Sequence, residues 1–181
     1  MSKITITGGV ACGRRIASVP HRVRPTPARL RRALFDILGD IEDKSFFDLF
    51  AGSGAVGIEA MSRAAEPVVF VEIDGRNRRI IEKNIANVGL QEIEHKIVCT
   101  DALRFLKKID PEGEAIVFAS PPYMEKFLKK VLMSMIEFAK LKAGSGIVSV
   151  LQFPKRSLPQ KFEFPPSRIH TIGDDTLVWW E

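Results

Sequence analysis

A glycine-rich segment follows the first long apolar run and is the first part of the chain whose residue types could bind a ligand. Residues 46–57 read FFDLFAGSGAVG, a pattern that predicts a strand ending in an acid, a tight turn and the start of a helix. Gly52 and Gly54 would let the backbone approach a ligand closely, because they carry no side chain. The candidate ligand contacts in this segment are Asp48, Phe50, Gly52, Ser53 and Gly54.

Two classes of ligand fit these glycines. Gly52, Gly54 and Gly57 satisfy the G-x-G-x-x-G fingerprint of dinucleotide sites, and Glu72 stands where a ribose-binding acid is expected. A dinucleotide would bring its pyrophosphate to the helix start, where the charge of Asp48 would repel it. S-adenosylmethionine has no phosphate and carries an ammonium and a sulfonium, which the same aspartate attracts. The sign of the charge therefore favours S-adenosylmethionine over NAD.

Acidic side chains follow the next two predicted strands as well. Glu72 ends one strand and precedes Ile73, so its carboxylate could grip both ribose hydroxyls while the isoleucine forms an apolar wall for adenine. Asp101, followed by Ala102, starts the helix after the next strand. Its carboxylate could accept a hydrogen bond from the adenine amino group or could cap the helix. The sequence leaves both interpretations open.

A second chemical motif, Ser120-Pro121-Pro122-Tyr123, ends the apolar run at 115–119. Methyl transfer to an exocyclic base amine needs acceptors for the amine hydrogens, because the nitrogen lone pair is delocalised into the ring. The Ser120 hydroxyl and the Pro121 carbonyl could be these acceptors, held rigidly by the prolines, and Tyr123 could stack on an extruded base. No strong general base is needed, since the methylated, cationic nitrogen loses its proton to water. An ordinary proline turn closed by a packed aromatic is the alternative interpretation.

Positive charge is concentrated at the N-terminal end of the chain. Eight of the 27 Lys and Arg residues precede the first acidic residue, Asp36, although the net charge is only +5. Arginine forks suit phosphate oxygens, so this asymmetry indicates a polyanionic partner, with a solvated basic arm as the alternative. The eight residues are Lys3, Arg14, Arg15, Arg22, Arg24, Arg29, Arg31 and Arg32. The candidate RNA contacts among them are Arg14, Arg15, Arg22, Arg24 and Arg29.

The remaining pattern predicts an α/β three-layer sandwich. A basic N-terminal hairpin over 3–7 and 14–19 and a helix that ends at Gly39 precede short apolar runs that alternate with helical segments, as parallel strands with crossover helices require. The last two strands predict an antiparallel hairpin. We expect an N-terminal region at 1–40, packed on a core at 41–181, within one compact domain. Strands are predicted near 45–49, 68–73, 96–99, 115–119, 146–152, 167–172 and 176–180, and helices near 55–64, 76–87, 101–109 and 124–140.

Composition and length exclude several classes of protein. A chain of 181 residues that is 45% hydrophobic suits one globular domain with a core. No run approaches the roughly 20 apolar residues of a bilayer span, and the N-terminus lacks the apolar run of a signal peptide, so we expect a cytoplasmic protein with no membrane partner. Cys12 and Cys99 lack a metal-ligand spacing, which favours neither a disulfide nor a metal site.

Motifs through most of the chain occur in an order that resembles one family. They are Gly8-Gly9 with Gly13-Arg14-Arg15, Arg24-Pro25-Thr26 with Arg29, Arg31, Leu34 and Phe35, then residues 48–57, Glu72, Asp101, Pro121-Pro122-Tyr123 and 173–180. In these motifs the chain resembles the RsmD-type bacterial 16S rRNA (guanine-N2)-methyltransferases, which are class I S-adenosylmethionine-dependent enzymes. Arg24-Pro25-Thr26 is the segment most specific to that family. The chain departs from the family at Ser120, where Asp or Asn is usual.

The resemblance implies a Rossmann-like fold with a mostly parallel seven-stranded sheet, and methyl transfer from S-adenosylmethionine to N2 of a guanine in 16S rRNA. The implied target is guanine 966 in ribosomal numbering, in the small ribosomal subunit or an assembly intermediate. The resemblance also implies that Thr26, with Arg24, lies across the donor pocket and meets RNA. Two alternatives stay open: an adenine-N6 methyltransferase, which the Ser-Pro-Pro-Tyr turn would also serve, and an RNA-binding or ribosome-assembly protein that has lost catalysis through Ser120.

Overall fold

Strands form the centre of the protein. The computed structural model describes residues 3–19 and 26–181, in which two strands make an N-terminal hairpin and seven make one sheet. Within these residues no helix has the length and apolar character needed to cross a membrane. The strands are β1 (Lys3–Thr5), β2 (Arg15–Ala17), β3 (Ser45–Leu49), β4 (Val68–Val71), β5 (His95–Val98), β6 (Ala115–Ala119), β7 (Ile147–Pro154), β8 (Arg168–Ile172) and β9 (Asp175–Trp180).

The sheet is mostly parallel. Its strands lie in the order β5-β4-β3-β6-β7-β9-β8, and only β9 runs antiparallel to its neighbours among the described pairs. All five residues of β6 are buried, because helices cover both faces of the sheet and leave no polar side to this strand. The predicted α/β sandwich with a mostly parallel sheet and a C-terminal antiparallel hairpin is confirmed.

Helices cover the two faces of the sheet unequally. The described helices are α1 (Ala28–Leu38), α2 (Ala55–Ser62), α3 (Gly75–Asn87), α4 (Ala102–Leu106) and α5 (Glu125–Leu141). On one face, α1, α2 and α3 contribute Leu34, Ile58 and Ile81 to a single core cluster. On the other face, α4 and α5 contribute Leu103 and Met135 to a second cluster. Three layers therefore result, with the sheet in the middle.

A buried ion pair joins the N-terminal hairpin and α1 to α2. Arg31 is 1% exposed, and its Nε donates to Glu59 Oε2 at 3.0 Å. Its Nη1 and Nη2 donate to the backbone carbonyls of Thr26 at 2.7 Å and Thr5 at 2.6 Å. Arg31, one of the eight basic residues before Asp36, is therefore unavailable to a polyanion, because its charge is neutralised inside the protein. The division of the chain at residue 40 stays a prediction.

Most predicted elements are present with small shifts at their ends. β7 runs two residues beyond its predicted end, because the antiparallel partner β9 pairs Pro154 with Asp175. α4 is shorter than the predicted helix at 101–109. Its last turn tightens, with Lys108 N donating to Phe105 O at 2.9 Å, a spacing typical of the 3₁₀ turns that end helices.

Gly57 lets α2 pack directly on β4, and its substitution tests that packing. A Cβ at Gly57 would lie 2.3 Å from Phe70 Cε1, so we expect Gly57→Ala to lower the free energy of unfolding by about 1–3 kcal/mol, as overpacking does. The matched control is Gly75→Ala, because a Cβ there would lie 4.0 Å from Cys99 Sγ. That variant should stay within about 1 kcal/mol of wild type. Equal stability of the two variants in urea denaturation would contradict this packing.

Candidate active site

The two chemical motifs meet where the strand order of the sheet reverses. The chain continues from β3 toward β4 on one side and later from β6 toward β7 on the other, and ligands of open α/β sheets bind beyond the carboxyl ends of strands at such a point. Ser120 N donates to Leu49 O at 3.4 Å, and Ala51 N donates to Val71 O at 3.0 Å. The glycine-rich loop, the end of β4 and the Ser-Pro-Pro-Tyr turn therefore share one edge of the sheet.

The glycine-rich loop wraps around a carboxylate. φ is 56° at Gly52 and 67° at Phe50; glycine adopts this left-handed backbone freely, whereas phenylalanine is strained there. The loop then enters α2, whose Gly57 N donates to Asp48 Oδ2 at 2.9 Å. The backbone path from β3 to α2 thus holds the Asp48 carboxylate at the helix start.

The environment of the Asp48 carboxyl favours a cationic partner. Its side chain is buried, and burial raises the pKa of its carboxyl from 3.8 to about 7; the hydrogen bond from Gly57 N lowers the pKa and the charge of Glu72 raises it. A cation nearby would favour the ionised form, because opposite charges in a buried site attract strongly. An ammonium group meets this condition, and a phosphate does not.

Glu72 is held by two backbone N–H groups at the end of β4. Gly52 N donates to its Oε2 at 2.8 Å, and Asp74 N donates to its Oε1 at 2.8 Å. Each carboxylate oxygen can accept a further hydrogen bond. The two oxygens are therefore fixed in orientation and able to accept from a pair of neighbouring hydroxyls.

A cavity of about 250 Å³ lies beside Glu72. Its walls include Ile73, which is 69% exposed, and Phe50, whose ring meets that of Phe127 edge to face at 5.8 Å between centroids. Asp101 Oδ1 accepts from a backbone N–H of α4 at 2.8 Å, and Asp101 also lines the cavity. The cap and ligand interpretations of Asp101 are thus compatible. Gly52, Ala102, Ser120 and Pro122 are further lining residues.

A narrow cleft adjoins this cavity on the side of Asp48. Its lining overlaps that of the cavity at the glycine-rich loop and at Ser120. An elongated ligand could therefore place a cationic end at Asp48 and a ring system in the cavity, with its middle near Ser120. The cleft is lined by Thr26, Asp48, Phe50, Gly52, Ser53 and Ser120, among others.

The Ser-Pro-Pro-Tyr turn is rigid and presents an aromatic ring. Pro121 is buried and Pro122 is half-buried, and Met124 N donates to Pro122 O at 2.8 Å. The Tyr123 side chain is 37% exposed. The ring is thus accessible from outside, as base stacking would require.

Two buried polar residues behind this turn were not predicted. Gln152 Oε1 accepts from Ser120 Oγ at 3.0 Å and from Thr26 Oγ1 at 2.8 Å. Gln152 Nε2 donates to the Tyr123 hydroxyl at 2.8 Å, and that hydroxyl donates to Asp175 Oδ1. In the sequence, Gln152 stands out as a polar residue within the apolar run of β7. This strand pairs with β6, which ends just before Ser120.

The predicted RNA contacts occupy different environments. Arg14, Arg15 and Arg29 are exposed. Arg14 Nη1 donates to the backbone carbonyl at the C-terminal end of α3, and the Arg29 guanidinium lies against the turn between β8 and β9. The other two, Arg22 and Arg24, lie outside the described residues.

Comparison with known proteins supplies the family. The family model described as Conserved hypothetical protein 95 matches residues 4–178. The chain belongs to this family. A relative from Buchnera aphidicola, named Ribosomal RNA small subunit methyltransferase D, is 34% identical over 160 residues, which cover 87% of this chain and 82% of the relative. A relative of the same name from Escherichia coli strain K12 is 34% identical over 161 residues, 87% of this chain and 78% of the relative.

A solved structure shares the fold over nearly the whole chain. It is a hypothetical protein of Thermus thermophilus, 31% identical with a TM-score of 0.77, and the match covers 98% of this chain and 99% of that one. The predicted family, class I methyltransferase fold and methyltransferase activity are confirmed, and S-adenosylmethionine is the cofactor. The described residues fit this cofactor, because a buried carboxylate adjoins a cavity with apolar walls and a second carboxylate.

The shifted pKa of Asp48 predicts how donor binding depends on pH. Because Asp48 of the free protein titrates at about 7 and the cationic donor prefers its ionised form, the affinity for S-adenosylmethionine should rise by up to about tenfold per pH unit from pH 5 to 7 and then level off. Calorimetry should detect proton release on binding below pH 7. Asp48→Asn should bind more weakly and lose this pH dependence. The same slope in both proteins would contradict the role of Asp48.

Proposed function

We propose that this chain is an rRNA methyltransferase that transfers a methyl group from S-adenosylmethionine to N2 of a guanine in 16S rRNA. The observation that carries this proposal is the meeting of the acidic donor cavity and the Ser-Pro-Pro-Tyr turn at Ser120, which lines both spaces. The relatives named Ribosomal RNA small subunit methyltransferase D support rRNA as the substrate. Guanine 966, in the small subunit or an assembly intermediate, is the proposed target.

Donor binding is assigned to the glycine-rich loop and the two strand ends beside it. Asp48 attracts the ammonium group, Glu72 accepts from the ribose hydroxyls, and Asp101 accepts from the adenine amino group while Ile73 covers the ring. Thr26 closes the cleft near the reacting centre. The remaining donor contacts are Phe50, Gly52, Ser53, Gly54 and Ala102, which shape the walls and the backbone cradle.

The acceptor side of the reaction is assigned to the Ser-Pro-Pro-Tyr turn. S-adenosylmethionine supplies an electrophilic methyl group on a sulfonium. Ser120 Oγ and the Pro121 carbonyl accept hydrogen bonds from the amine and free its lone pair for attack, a preorganised arrangement that favours the transition state. Pro122 fixes the turn, and Tyr123 stacks on the extruded base. The proton released after transfer goes to water.

The proposed RNA surface includes the exposed Tyr123 and basic residues from several elements. Arg14 and Arg15 on the hairpin and Arg29 on α1 supply charge for phosphates, and Arg22 and Arg24 are further proposed RNA contacts. Lys155 and Arg156, in the 3₁₀ turn Lys155–Ser157, are exposed and line the open space beside Tyr123. Neither forms an ion pair within the described part of the chain, so both can neutralise phosphates.

Methyl transfer to ribosomal particles tests the proposal. Small subunits and naked 16S rRNA from cells lacking the protein are incubated with radiolabelled S-adenosylmethionine, and the product nucleoside is identified. We expect N2-methylguanosine. Ser120→Ala should lower the rate by about ten- to a thousandfold without changing donor affinity, as loss of one preorganised partner does. Ser120→Asp should retain activity, because a carboxylate is also an acceptor.

The control variant is Ser145→Ala, which removes an exposed hydroxyl after α5 and should leave the rate unchanged. If the product is N6-methyladenosine, the methylated atom is N6 of adenine and not N2 of guanine. No transfer to any particle, with donor binding intact, would make the chain a binding protein on a methyltransferase fold. Full activity of Ser120→Ala would leave the Pro121 carbonyl as the sufficient acceptor.

A further inference from the structure

Five polar side chains form a continuous line behind the Ser-Pro-Pro-Tyr turn, from the start of β9 to the donor cleft. Asp175, Gln152 and Thr26 are 2%, 3% and 6% exposed, and buried polar groups of this kind are stable only when each is hydrogen-bonded. Tyr123 links Asp175 to Gln152, and Gln152 meets both Ser120 and Thr26. Each hydrogen bond along this line therefore needs one donor and one acceptor, and the choice made at one residue limits the choice at the next.

Asp175 determines the direction of every hydrogen bond in the line. A carboxylate oxygen accepts, so the Tyr123 hydroxyl donates its single hydrogen to Asp175. The Tyr123 oxygen must then accept from Gln152, which places the NH₂ of the amide toward it. The amide oxygen of Gln152 consequently faces Thr26 and Ser120, and both hydroxyls must donate to it.

This direction matters for Ser120, because a serine hydroxyl has no fixed role by itself. It can rotate and present either its hydrogen or its lone pairs. A hydrogen pointing at the target amine would compete with the methyl group for the nitrogen lone pair. With that hydrogen engaged by Gln152, only lone pairs remain for the amine.

We infer that Asp175, acting through Tyr123 and Gln152, fixes the Ser120 hydroxyl as an obligate hydrogen-bond acceptor toward the target amine. Asp175 and Gln152 are thus positioning residues, whereas Ser120 touches the base. The inference rests on the proposed function, because it concerns the contact between Ser120 and the reacting nitrogen. It adds a role for two buried residues, Gln152 on β7 and Asp175 on β9.

A double-substitution experiment distinguishes orientation from structural support. Asp175→Asn keeps the size of the side chain but allows either end of its amide to face Tyr123, and Tyr123→Phe removes the link while keeping the ring. Each should lower the single-turnover rate of methyl transfer to small subunits by about tenfold, with donor affinity unchanged. In a Ser120→Asp background the same substitutions should cost less than about twofold, because a carboxylate accepts without being oriented.

The control is Asp174→Asn, the exposed neighbour that lines the same open space as Tyr123; it should leave the rate unchanged in both backgrounds. Equal losses from Asp175→Asn in the serine and aspartate backgrounds would show structural support alone and would overturn the inference. So would an unchanged rate in the serine background.

A second readout does not depend on activity. Tyr123 is the only tyrosine of the chain, so the ultraviolet absorbance of tyrosinate reports its ionisation alone. Ionising Tyr123 would break its bond to Asp175 and place two negative charges together, so Asp175→Asn should move this titration to lower pH. Lys155, Arg156 and Asp174 also face Tyr123 and are unchanged in that variant, and Asp174→Asn should move the titration less.

The two readouts separate the inference from the proposed function. If the titration of Tyr123 does not move in Asp175→Asn, the inferred direction of the hydrogen bonds is overturned, even when wild type methylates rRNA. If the titration of Tyr123 moves in Asp175→Asn but wild type methylates no ribosomal particle, the inferred direction of the hydrogen bonds is supported. The proposed function is then wrong, and so is the role of Ser120 toward a base.

Discussion

The buried carboxylate of Asp48 lies between the end of β3 and the start of α2, and the proposed donor site is arranged around this group. Removing a carboxylate from water is costly unless hydrogen bonds or an opposite charge compensate. Here one backbone N–H at 2.9 Å supplies part of that compensation, and the uncompensated cost of burial raises the pKa of the carboxyl to about 7. In the proposed function, the cationic donor supplies the rest. The free protein is therefore most stable when Asp48 is protonated. This contribution to the free energy of unfolding is lost as pH rises through about 7.

A second buried charge holds the N-terminal region against the edge of the sheet where the proposed active site lies. Arg31 joins Glu59 of α2 to the carbonyls of Thr5 and Thr26, and breaking a buried pair by removing one partner costs about 3–5 kcal/mol. Thr26 in turn donates to Gln152 beside Ser120. The hairpin is thus joined to the Ser-Pro-Pro-Tyr turn through buried hydrogen bonds, so the proposed RNA contacts at Arg14 and Arg15 and the proposed chemistry share one scaffold.

The features that could be predicted from the sequence are those that depend on residues close to one another in the chain. The acid before Gly52, the glutamate that ends β4 and the prolines after β6 follow the chain order of strand, turn and helix, so their shared edge follows from the topology of a parallel sheet. Arg31 could not be separated from its basic neighbours, because its partner Glu59 lies 28 residues away in sequence. Gln152 and Asp175 were missed for the same reason. Their roles depend on the pairing of β7 with β6 and β9, which no local pattern specifies.

We propose that this site methylates one exocyclic base amine of small-subunit rRNA. The most direct measurement maps the modified nucleotides of 16S rRNA by mass spectrometry, in cells with the protein, cells without it, and cells without it that express the Ser120→Ala variant. A single N2-methylguanosine, at guanine 966, should be present in cells with the protein, absent from cells without it, and restored only poorly by the variant. An unchanged set of modified nucleotides, or the loss of a methyl group from a ribose or a ring nitrogen, would contradict the proposal.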